Sequence, residues 1–306
     1  MEIEDIKKVV IVGAGNMGQQ IGAQCAIHGF EVVLYDINHD ILDKAFERIK
    51  KLLKSFTASN KITQKQADAA ISRIIATTNI GEASINADLI SESVPEDPDL
   101  KGKVFSQFNA LCPDHTIFAT NTSTLLPSMF AQDTGRPEKL VAIHFHDVRT
   151  TDIVDVMAHP GISEETLNIA TEFARKIGQV PLVLRKEHPG YIFNSMLTAL
   201  FDAAQTLAAN AVTSIEEIDR AWMGVLHMPI GPFGLMDSIG IDTVWKVTDY
   251  WANKLNDEQN KKNAEFLKEY IDRGQLGQKS GQGFYSYPKP AYRNPGFIKG
   301  EVKQSE

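Results

Sequence analysis

Apolar runs alternate with amphipathic stretches along the chain as far as Leu184. Short runs rich in Val, Ile, Leu and Phe predict strands, and the stretches between them carry apolar residues at helical spacing. The strands are predicted at residues 8–12, 30–35, 74–77, 89–94, 116–120, 140–145, 152–157 and 180–184. Strands that alternate with helices in this way favour an α/β fold with a doubly wound, mainly parallel sheet.

The period changes at the polar segment 185–190, and beyond it the pattern is helical throughout. We therefore predict a sheet domain over 1–187 and an all-α C-terminal domain over 188–306. Within the first domain, two amphipathic stretches predict an inserted helical hairpin at about 40–72. In the second domain, helices are predicted at 191–211, after the capping residue Ser214, and at 235–256 and 262–273, with a rigid loop at 228–234.

The first predicted strand ends in a glycine-rich turn that opens a helix. Gly13, Gly15 and Gly18 form a Gly-x-Gly-x-x-Gly pattern, which permits a tight turn and close approach of a pyrophosphate to the helix N-terminus. Asp36 lies 18 residues after Gly18, at the tip of the next strand. Its carboxylate suits a ribose diol and repels a 2′-phosphate. This Rossmann-type unit therefore predicts NAD as the cofactor in preference to NADP.

Polar side chains at strand ends are the candidates for chemistry. Hydride transfer to NAD needs a group that exchanges a proton, and a histidine suits this near neutral pH. His144 ends one strand, and Asp155 lies in the next, which a short turn predicts to be antiparallel and close. Ser123 and Asn194 are candidates to donate hydrogen bonds to a substrate oxygen. The residue types alone leave a purely structural role open for each of them. His144 could simply end a strand, Ser123 could cap a turn, and Asn194 could form a hydrogen bond between the domains.

Composition excludes several classes of protein. A net charge of −8 argues against nucleic acid as the main partner, and no apolar run reaches membrane-spanning length. The acidic N-terminus is unlike a signal or transit peptide, so a cytoplasmic location is expected. Cys25 and Cys112 are predicted as packed thiols on helices, and His146 as a loop residue. Because no Cys/His cluster has zinc spacing, the sequence predicts no metal site.

Seven short segments follow one another in an order that is typical of one family. They are residues 10–18, 121–125, 144–145, 153–156, 189–194, 229–237 and 277–285. Over nearly the whole chain, their order and spacing resemble those of the L-3-hydroxyacyl-CoA dehydrogenase family, which includes 3-hydroxybutyryl-CoA dehydrogenases. The resemblance implies hydride transfer between NAD and a small-molecule acyl-CoA substrate of short chain length. It also implies a homodimer formed through the helical substrate domain.

The resemblance also implies roles for individual residues. His144 would act as the general base in alcohol oxidation, with Asp155 in place of the family's glutamate. Ser123 and Asn194 would bind the reacting oxygen of the substrate, and further residues would contact the cofactor. The predicted cofactor-binding set is Gly13, Ala14, Gly15, Asn16, Met17, Gly18, Asp36, Glu96, Lys101, Ser123 and Asp147, with Glu96 and Lys101 near the nicotinamide ribose.

The segment after His144 departs from the family's His-Phe-Phe-Asn-Pro motif. Residues 146–148 read His-Asp-Val, so Asp147 replaces an asparagine expected near the cofactor, and Arg149 follows. One residue is missing before Asp155, whose side chain is shorter than glutamate. Two alternatives follow from these departures. One is a dehydrogenase of a free hydroxy acid of the carnitine or gulonate type, since Arg149 suits a carboxylate. The other is an NAD-binding protein without catalysis.

Overall fold

The fold is described for residues 2–301 of a computed structural model. The chain divides into two compact units, the first ending at Ile192 and the second beginning at Phe193. This division falls a few residues beyond the predicted one at 187/188. Each unit has a hydrophobic core of its own.

The first unit contains one sheet of eight strands in the order 3-2-1-4-5-6-7-8. All neighbouring strands are parallel except the sixth and seventh, which are antiparallel as the short turn predicts. The doubly wound, mainly parallel sheet is therefore confirmed. The strands are β1 Lys8–Val12, β2 Glu31–Tyr35, β3 Ile74–Thr77, β4 Leu89–Glu92, β5 Ile117–Thr120, β6 Leu140–Phe145, β7 Ile153–Met157 and β8 Val180–Leu184.

Both faces of this sheet are covered, and β1 shows how. Val9 and Ile11 belong to one core cluster, whereas Val10 and Val12 belong to another. Successive side chains of a strand point to opposite faces, so each cluster lies on one side of the sheet. The helices of the unit are α1 Asn16–Ile27, α2 His39–Ala58, α3 Gln64–Ser72, α4 Ile80–Ser84, α5 Pro98–Asn109 and α6 Glu164–Lys176.

The predicted pair of helices at about 40–72 is present as α2 and α3. Their buried residues, which include Leu42, Ile49 and Ala70, belong to the same core cluster as β1 residues. The pair thus packs into the core of the unit. The short helix α4 was not predicted, because five residues are too few to show a helical period. Single-turn 3₁₀ segments lie at Ile3–Asp5, Pro127–Met129, Gln132–Thr134, Pro137–Lys139, Gln278–Ser280 and Ala291–Arg293.

The second unit is helical, which confirms the predicted all-α C-terminal domain. Its helices are α7 Phe193–Ala209, α8 Ile215–Leu226, α9 Pro232–Ile239, α10 Ile241–Leu255 and α11 Glu258–Asp272. The single helix predicted at 235–256 is wrong, because Gly240 has a φ of 106° and separates α9 from α10. The rigid loop predicted at 228–234 is partly helix, since α9 begins at Pro232, whose fixed φ suits the first turn.

Two buried carboxylates organise the second unit. Asp219 accepts hydrogen bonds from the backbone N–H groups of Phe233 and Gly234, in the first turn of α9, and from the Tyr285 hydroxyl. Asp237 accepts similarly from the backbone of Phe284 and Tyr285. Burial raises the pKa of Asp219 to about 6 even though these donors favour the charged form.

Two further sequence predictions concern the cysteines and membranes. Cys25 lies on α1 as predicted, whereas Cys112 follows the end of α5 at Asn109 and is not on a helix. Both thiols are buried and neither forms a disulfide. Among the helices of residues 2–301, none combines the length and the apolar character that crossing a membrane requires.

Candidate active site

The glycine turn after β1 has the geometry of a nucleotide cradle. Gly13 has a φ of +94°, and a Cβ added there would lie 2.8 Å from the Ser93 carbonyl oxygen. A Cβ on Gly18 would lie 2.0 Å from the Gly13 carbonyl oxygen. A Cβ on Gly15, the residue before α1, would meet no atom within 4 Å. The backbone is therefore closely packed at Gly13 and Gly18, whereas the space beside Gly15 at the helix N-terminus is open. Such an open space at a helix N-terminus can accept a pyrophosphate.

Asp36 lies beside this cradle. Its Oδ2 accepts a hydrogen bond of 2.9 Å from the Ala14 N–H, and its Oδ1 accepts one of 3.1 Å from the Asn38 N–H. These bonds hold the carboxylate at the carboxyl end of β2, next to the turn. Asn16 and Met17 form the start of α1. The sheet order reverses between β1 and β4, and such a switch point is where doubly wound sheets bind dinucleotides.

His144 and Asp155 are direct partners across the antiparallel pair β6 and β7. Their Nδ1 and Oδ2 atoms lie 3.0 Å apart, with the imidazole as the donor to an ionised carboxylate. Side chains directly opposite each other across antiparallel strands are close, so the shorter aspartate reaches the ring. Both residues are buried, with His144 6% and Asp155 0% exposed.

His146 is a second imidazole on the same carboxylate. Its Nε2 lies 3.3 Å from Asp155 Oδ2, and its ring centroid lies 4.6 Å from that of His144. Burial disfavours the charged form of Asp155, but hydrogen bonds from both histidines outweigh it and hold the carboxyl pKa below its ordinary value. His146 follows the end of β6 at Phe145 and lies in a loop, as predicted, but its contact with Asp155 was not predicted. The spacing of two residues along an extended chain was the available signal, because it brings side chains to the same face.

Ser123 is held by Glu96. The Glu96 Oε1 atom accepts hydrogen bonds from the Ser123 N–H at 2.8 Å, the Ser123 hydroxyl at 3.3 Å and the Thr122 hydroxyl at 3.0 Å. This carboxylate therefore fixes the loop after β5.

Lys101 contacts Glu96 as well and is only 1% exposed. Its ammonium is 2.7 Å from Glu92 Oε1 and 3.4 Å from Glu96 Oε2, and it donates to the Val94 carbonyl. Burial raises the pKa of Glu92 against the opposing effect of Lys101. Lys101 thus helps to hold the Glu96 carboxylate in place through their electrostatic attraction. The contact between Lys101 and the cofactor is still only a prediction.

Tyr191 and Asn121 complete the support of the site, and sequence reasoning assigned neither a role. The Tyr191 hydroxyl donates to the Thr122 carbonyl at 2.7 Å, and its ring centroid lies 4.7 Å from that of His144. Asn121 Oδ1 accepts from the Phe145 N–H at 2.8 Å, which ties the ends of β5 and β6 together. Both residues fall inside segments that carry the family resemblance, 121–125 and 189–194, but only the fold shows what they contact.

Asp147 is paired with Arg149. Its carboxylate accepts from the Arg149 N–H at 3.0 Å and from Nε at 2.8 and 3.0 Å, with a further contact to Nη2. These hydrogen bonds hold the pKa of Asp147 below its ordinary value. The loop is also tied to α1 through the Val148 N–H, which donates to Gln20 Oε1 at 3.0 Å. Cofactor contact by Asp147 stays a prediction.

Asn194 is the second residue of α7 and belongs to the other unit. Whether Asn194 contacts the substrate oxygen is not tested by the geometry of either unit, so this role is still only a prediction. Within the first unit, the structure brings together Ser123, Glu96 and Lys101 around one loop, and His144 with Asp155 on adjacent strands.

A dinucleotide cradle, a sheet switch point and a buried His–Asp pair together define a nicotinamide-dependent oxidoreductase. Residues 8–188 match the family described as 3-hydroxyacyl-CoA dehydrogenase, NAD binding domain, and residues 190–287 match its C-terminal domain. The chain therefore belongs to the 3-hydroxyacyl-CoA dehydrogenase family, which confirms the sequence resemblance. Its cofactor is NAD.

Similar proteins cover nearly the whole chain. A probable 3-hydroxybutyryl-CoA dehydrogenase of Bacillus subtilis (strain 168) is 32% identical over 92% of this chain and 98% of its own length. Among solved structures, (S)-3-hydroxybutyryl-CoA dehydrogenase from Ralstonia eutropha has a TM-score of 0.84 at 29% identity, covering 93% of this chain and 100% of the other. A diketoreductase has a TM-score of 0.84 at 38% identity, covering 92% and 99%.

Proposed function

We propose that the protein interconverts (S)-3-hydroxyacyl-CoA of short chain length, such as 3-hydroxybutyryl-CoA, with the corresponding 3-oxoacyl-CoA. The observation that carries this proposal is the buried pair of His144 and Asp155 at the carboxyl edge of a sheet whose glycine turn suits a dinucleotide. Membership of the dehydrogenase family and the names of the similar proteins support the substrate class.

When bound, NAD supplies the acceptor for the hydride. The residues of the chain manage the proton and the reacting oxygen. His144 Nδ1 is engaged by Asp155, so Nε2 is the nitrogen that takes the hydroxyl proton during oxidation and returns it during reduction. The negative charge of Asp155 stabilises the imidazolium that forms, and the fixed hydrogen bond sets the tautomer. Burial of both groups strengthens this interaction.

Ser123 and Asn194 are proposed to donate hydrogen bonds to the reacting oxygen. These donors favour the negative charge that develops on that oxygen in the transition state. Glu96 fixes the Ser123 loop before substrate binds, which lowers the ordering cost. Gly13 to Gly18 and Asp36 are proposed to hold the pyrophosphate and the adenosine ribose.

A second candidate substrate is a free hydroxy acid or dicarbonyl compound without coenzyme A. The observation that favours it is the 38% identity to a solved diketoreductase, which exceeds the identity to the solved hydroxybutyryl-CoA enzyme. Against it, Arg149 is already paired with Asp147 in a multiple hydrogen bond, so it is not poised for a substrate carboxylate.

A substrate panel tests the proposal. Acetoacetyl-CoA and 3-hydroxybutyryl-CoA are compared with carnitine, gulonate and a free diketone, with NAD and NADP in parallel and with NADH absorbance as the signal. The proposal expects the highest kcat/KM with the acyl-CoA pair and NAD. Preference for a free compound would support the second candidate. NAD binding by calorimetry without turnover of any compound would support a protein that binds but does not catalyse.

We also propose a homodimer formed through the second unit. Apolar side chains on and after α7 and α8 are exposed, namely Leu207 40%, Val212 64%, Val225 77% and Leu226 52%. Leu207, Val225 and Leu226 border a mainly apolar groove, and such patches are typical of subunit interfaces. Sedimentation velocity should give a dimer for the native chain and a monomer for Val225→Glu. A native monomer at micromolar concentration would contradict this proposal.

A cytoplasmic location is proposed as well. Two buried thiols, Cys25 and Cys112, persist without a disulfide, as suits a reducing compartment. Cell fractionation with an antibody against the chain should recover it with the cytosolic markers, and recovery with an organelle or an exported fraction would contradict this.

A further inference from the structure

The two histidines that share Asp155 form a group that the proposed reaction does not fully use. We propose that His144, His146 and Asp155 make up a binding site for a transition-metal dication such as Zn²⁺, and that its occupation switches the enzyme off. The inhibition rests on the proposed function, whereas the metal binding does not.

The spacing of the potential ligand atoms suits this ion. Asp155 Oδ2 lies 3.0 Å from His144 Nδ1 and 3.3 Å from His146 Nε2, and all three atoms lie within 4.8 Å of one another. Ligands bound to tetrahedral zinc at bond lengths of about 2.0–2.1 Å are separated by roughly 3.3 Å. The ion would replace the two hydrogen bonds, and the two imidazole nitrogens, which lie within 4.8 Å of each other, would rotate towards the tetrahedral spacing.

One carboxylate oxygen of Asp155 is available to bind a cation. Asp155 Oδ1 is buried and has no hydrogen-bond partner within residues 2–301, although carboxylate oxygens in protein interiors are normally paired. Asp155 is 0% exposed, so its charge gains strongly from a nearby cation. The side chain of His146 is 20% exposed, which gives a path from solvent. Two imidazoles and one carboxylate favour Zn²⁺, Co²⁺, Ni²⁺ or Cu²⁺ over Mg²⁺ or Ca²⁺.

Metal binding has a direct consequence for the proton transfer. A neutral imidazole that coordinates through Nδ1 carries its proton on Nε2. His144 Nε2 then has no lone pair to accept the hydroxyl proton, so alcohol oxidation stops. Loss of the Nε2 proton would leave an imidazolate, which makes the reverse reduction slow as well. Protons compete with the metal for both rings, so affinity should fall as the pH is lowered.

The test titrates the unliganded protein with Zn²⁺ in a calorimeter and with Co²⁺ in an absorption cell. We expect one saturable equivalent per chain and visible d–d bands from Co²⁺. His146→Phe, which removes a ligand, and His146→Gln, which keeps a polar group for Asp155 but is a poor zinc ligand, should each weaken binding by about tenfold or more. The control is His115→Phe, because His115 forms a simple pair with Asp88 at 3.0 Å, and it should bind Zn²⁺ like the native chain.

Inhibition of NADH formation by Zn²⁺ should weaken in parallel in the two His146 variants, and circular dichroism checks that they fold. The absence of a saturable equivalent, or equal affinity in native protein and both folded variants, would overturn the proposal. His146-dependent Zn²⁺ binding in a protein that turns over no substrate would instead uphold the metal site and reject the proposed function. Dehydrogenase activity without His146-dependent Zn²⁺ binding would uphold the proposed function and reject the metal site.

Discussion

Asp155→Asn isolates the charge that we assign to the orientation of His144. The substitution keeps the volume of a fully buried side chain and removes one negative charge 3.0 Å from the imidazole. A hydrogen bond to a charged group contributes about 1.5–3 kcal/mol, and each 1.4 kcal/mol is about tenfold in rate. Loss of imidazolium stabilisation therefore predicts a fall in kcat of about 10- to 100-fold. A wrong ring tautomer, in which the new amide donates to Nδ1, would add to this loss.

The assay is the steady-state oxidation of 3-hydroxybutyryl-CoA followed by NADH absorbance, with NAD affinity measured separately. Affinity for NAD should change little, because Asp155 lies on β7 and the predicted cradle lies after β1. Asp43→Asn is the matched control, since Asp43 pairs with His39 on the exposed surface and should keep native kcat. A kcat for Asp155→Asn within about threefold of the native value would refute the reasoning.

The pH dependence of stability provides a second reading of Asp155. Its folded pKa lies below the ordinary value, so the folded state binds this proton less tightly than the unfolded state. The group therefore stabilises the native protein above the unfolded pKa near 4, and this contribution is lost as the pH falls through the folded pKa. The difference in unfolding free energy between native protein and Asp155→Asn should shrink on acidification. A difference that stays constant or grows would contradict the assignment.

Three further predictions concern other parts of the molecule. Asp36→Ala should weaken NAD binding about tenfold and reduce discrimination against NADP, measured by calorimetry, because the ribose acceptor and its bond to Ala14 are lost; unchanged NAD preference would contradict it. Glu96→Ala should lower kcat about tenfold in a protein that still folds, since Ser123 loses its anchor; a lower melting temperature with native kcat would argue for a merely structural role. For Asp219, whose pKa is raised to about 6, the folded state holds the proton more tightly, so the native protein should lose up to about 3 kcal/mol of stability relative to Asp219→Asn as the pH rises from 4 to 7. Urea denaturation at several pH values checks this, and a gain in relative stability over that range would contradict it.

Local signals were enough to predict most of the first unit. Successive residues of β1 belong to two different core clusters, and the turn at Gly13 has no room for a side chain. Both features depend on residue types that are neighbours in the sequence, so the strand, the loop and the helix could be predicted locally. Antiparallel pairing of β6 and β7 follows from the short connection between them. That same pairing made the contact between His144 and Asp155 predictable.

The remaining features depend on contacts between distant parts of the chain. The family resemblance predicts Lys101 near the nicotinamide ribose, but no local pattern predicts that its side chain is buried against Glu92. Tyr191 reaches Thr122 across 69 positions of sequence. In the sequence, Gly240 looks like an isolated glycine within a helical pattern. Only the structure shows that its positive φ ends α9 and separates it from α10. The spacing of His144 and His146 could indicate that both side chains lie on one face, but only the fold shows that His146 contacts Asp155.

The central claim is that the His144 imidazole is the base in an NAD-dependent oxidation. It is tested most directly by the kcat of His144→Gln with 3-hydroxybutyryl-CoA and saturating NAD. We predict a loss of about a thousandfold with native NAD affinity, since a glutamine cannot accept the hydroxyl proton. A variant that binds NAD normally and turns over at more than a third of the native rate would contradict the account.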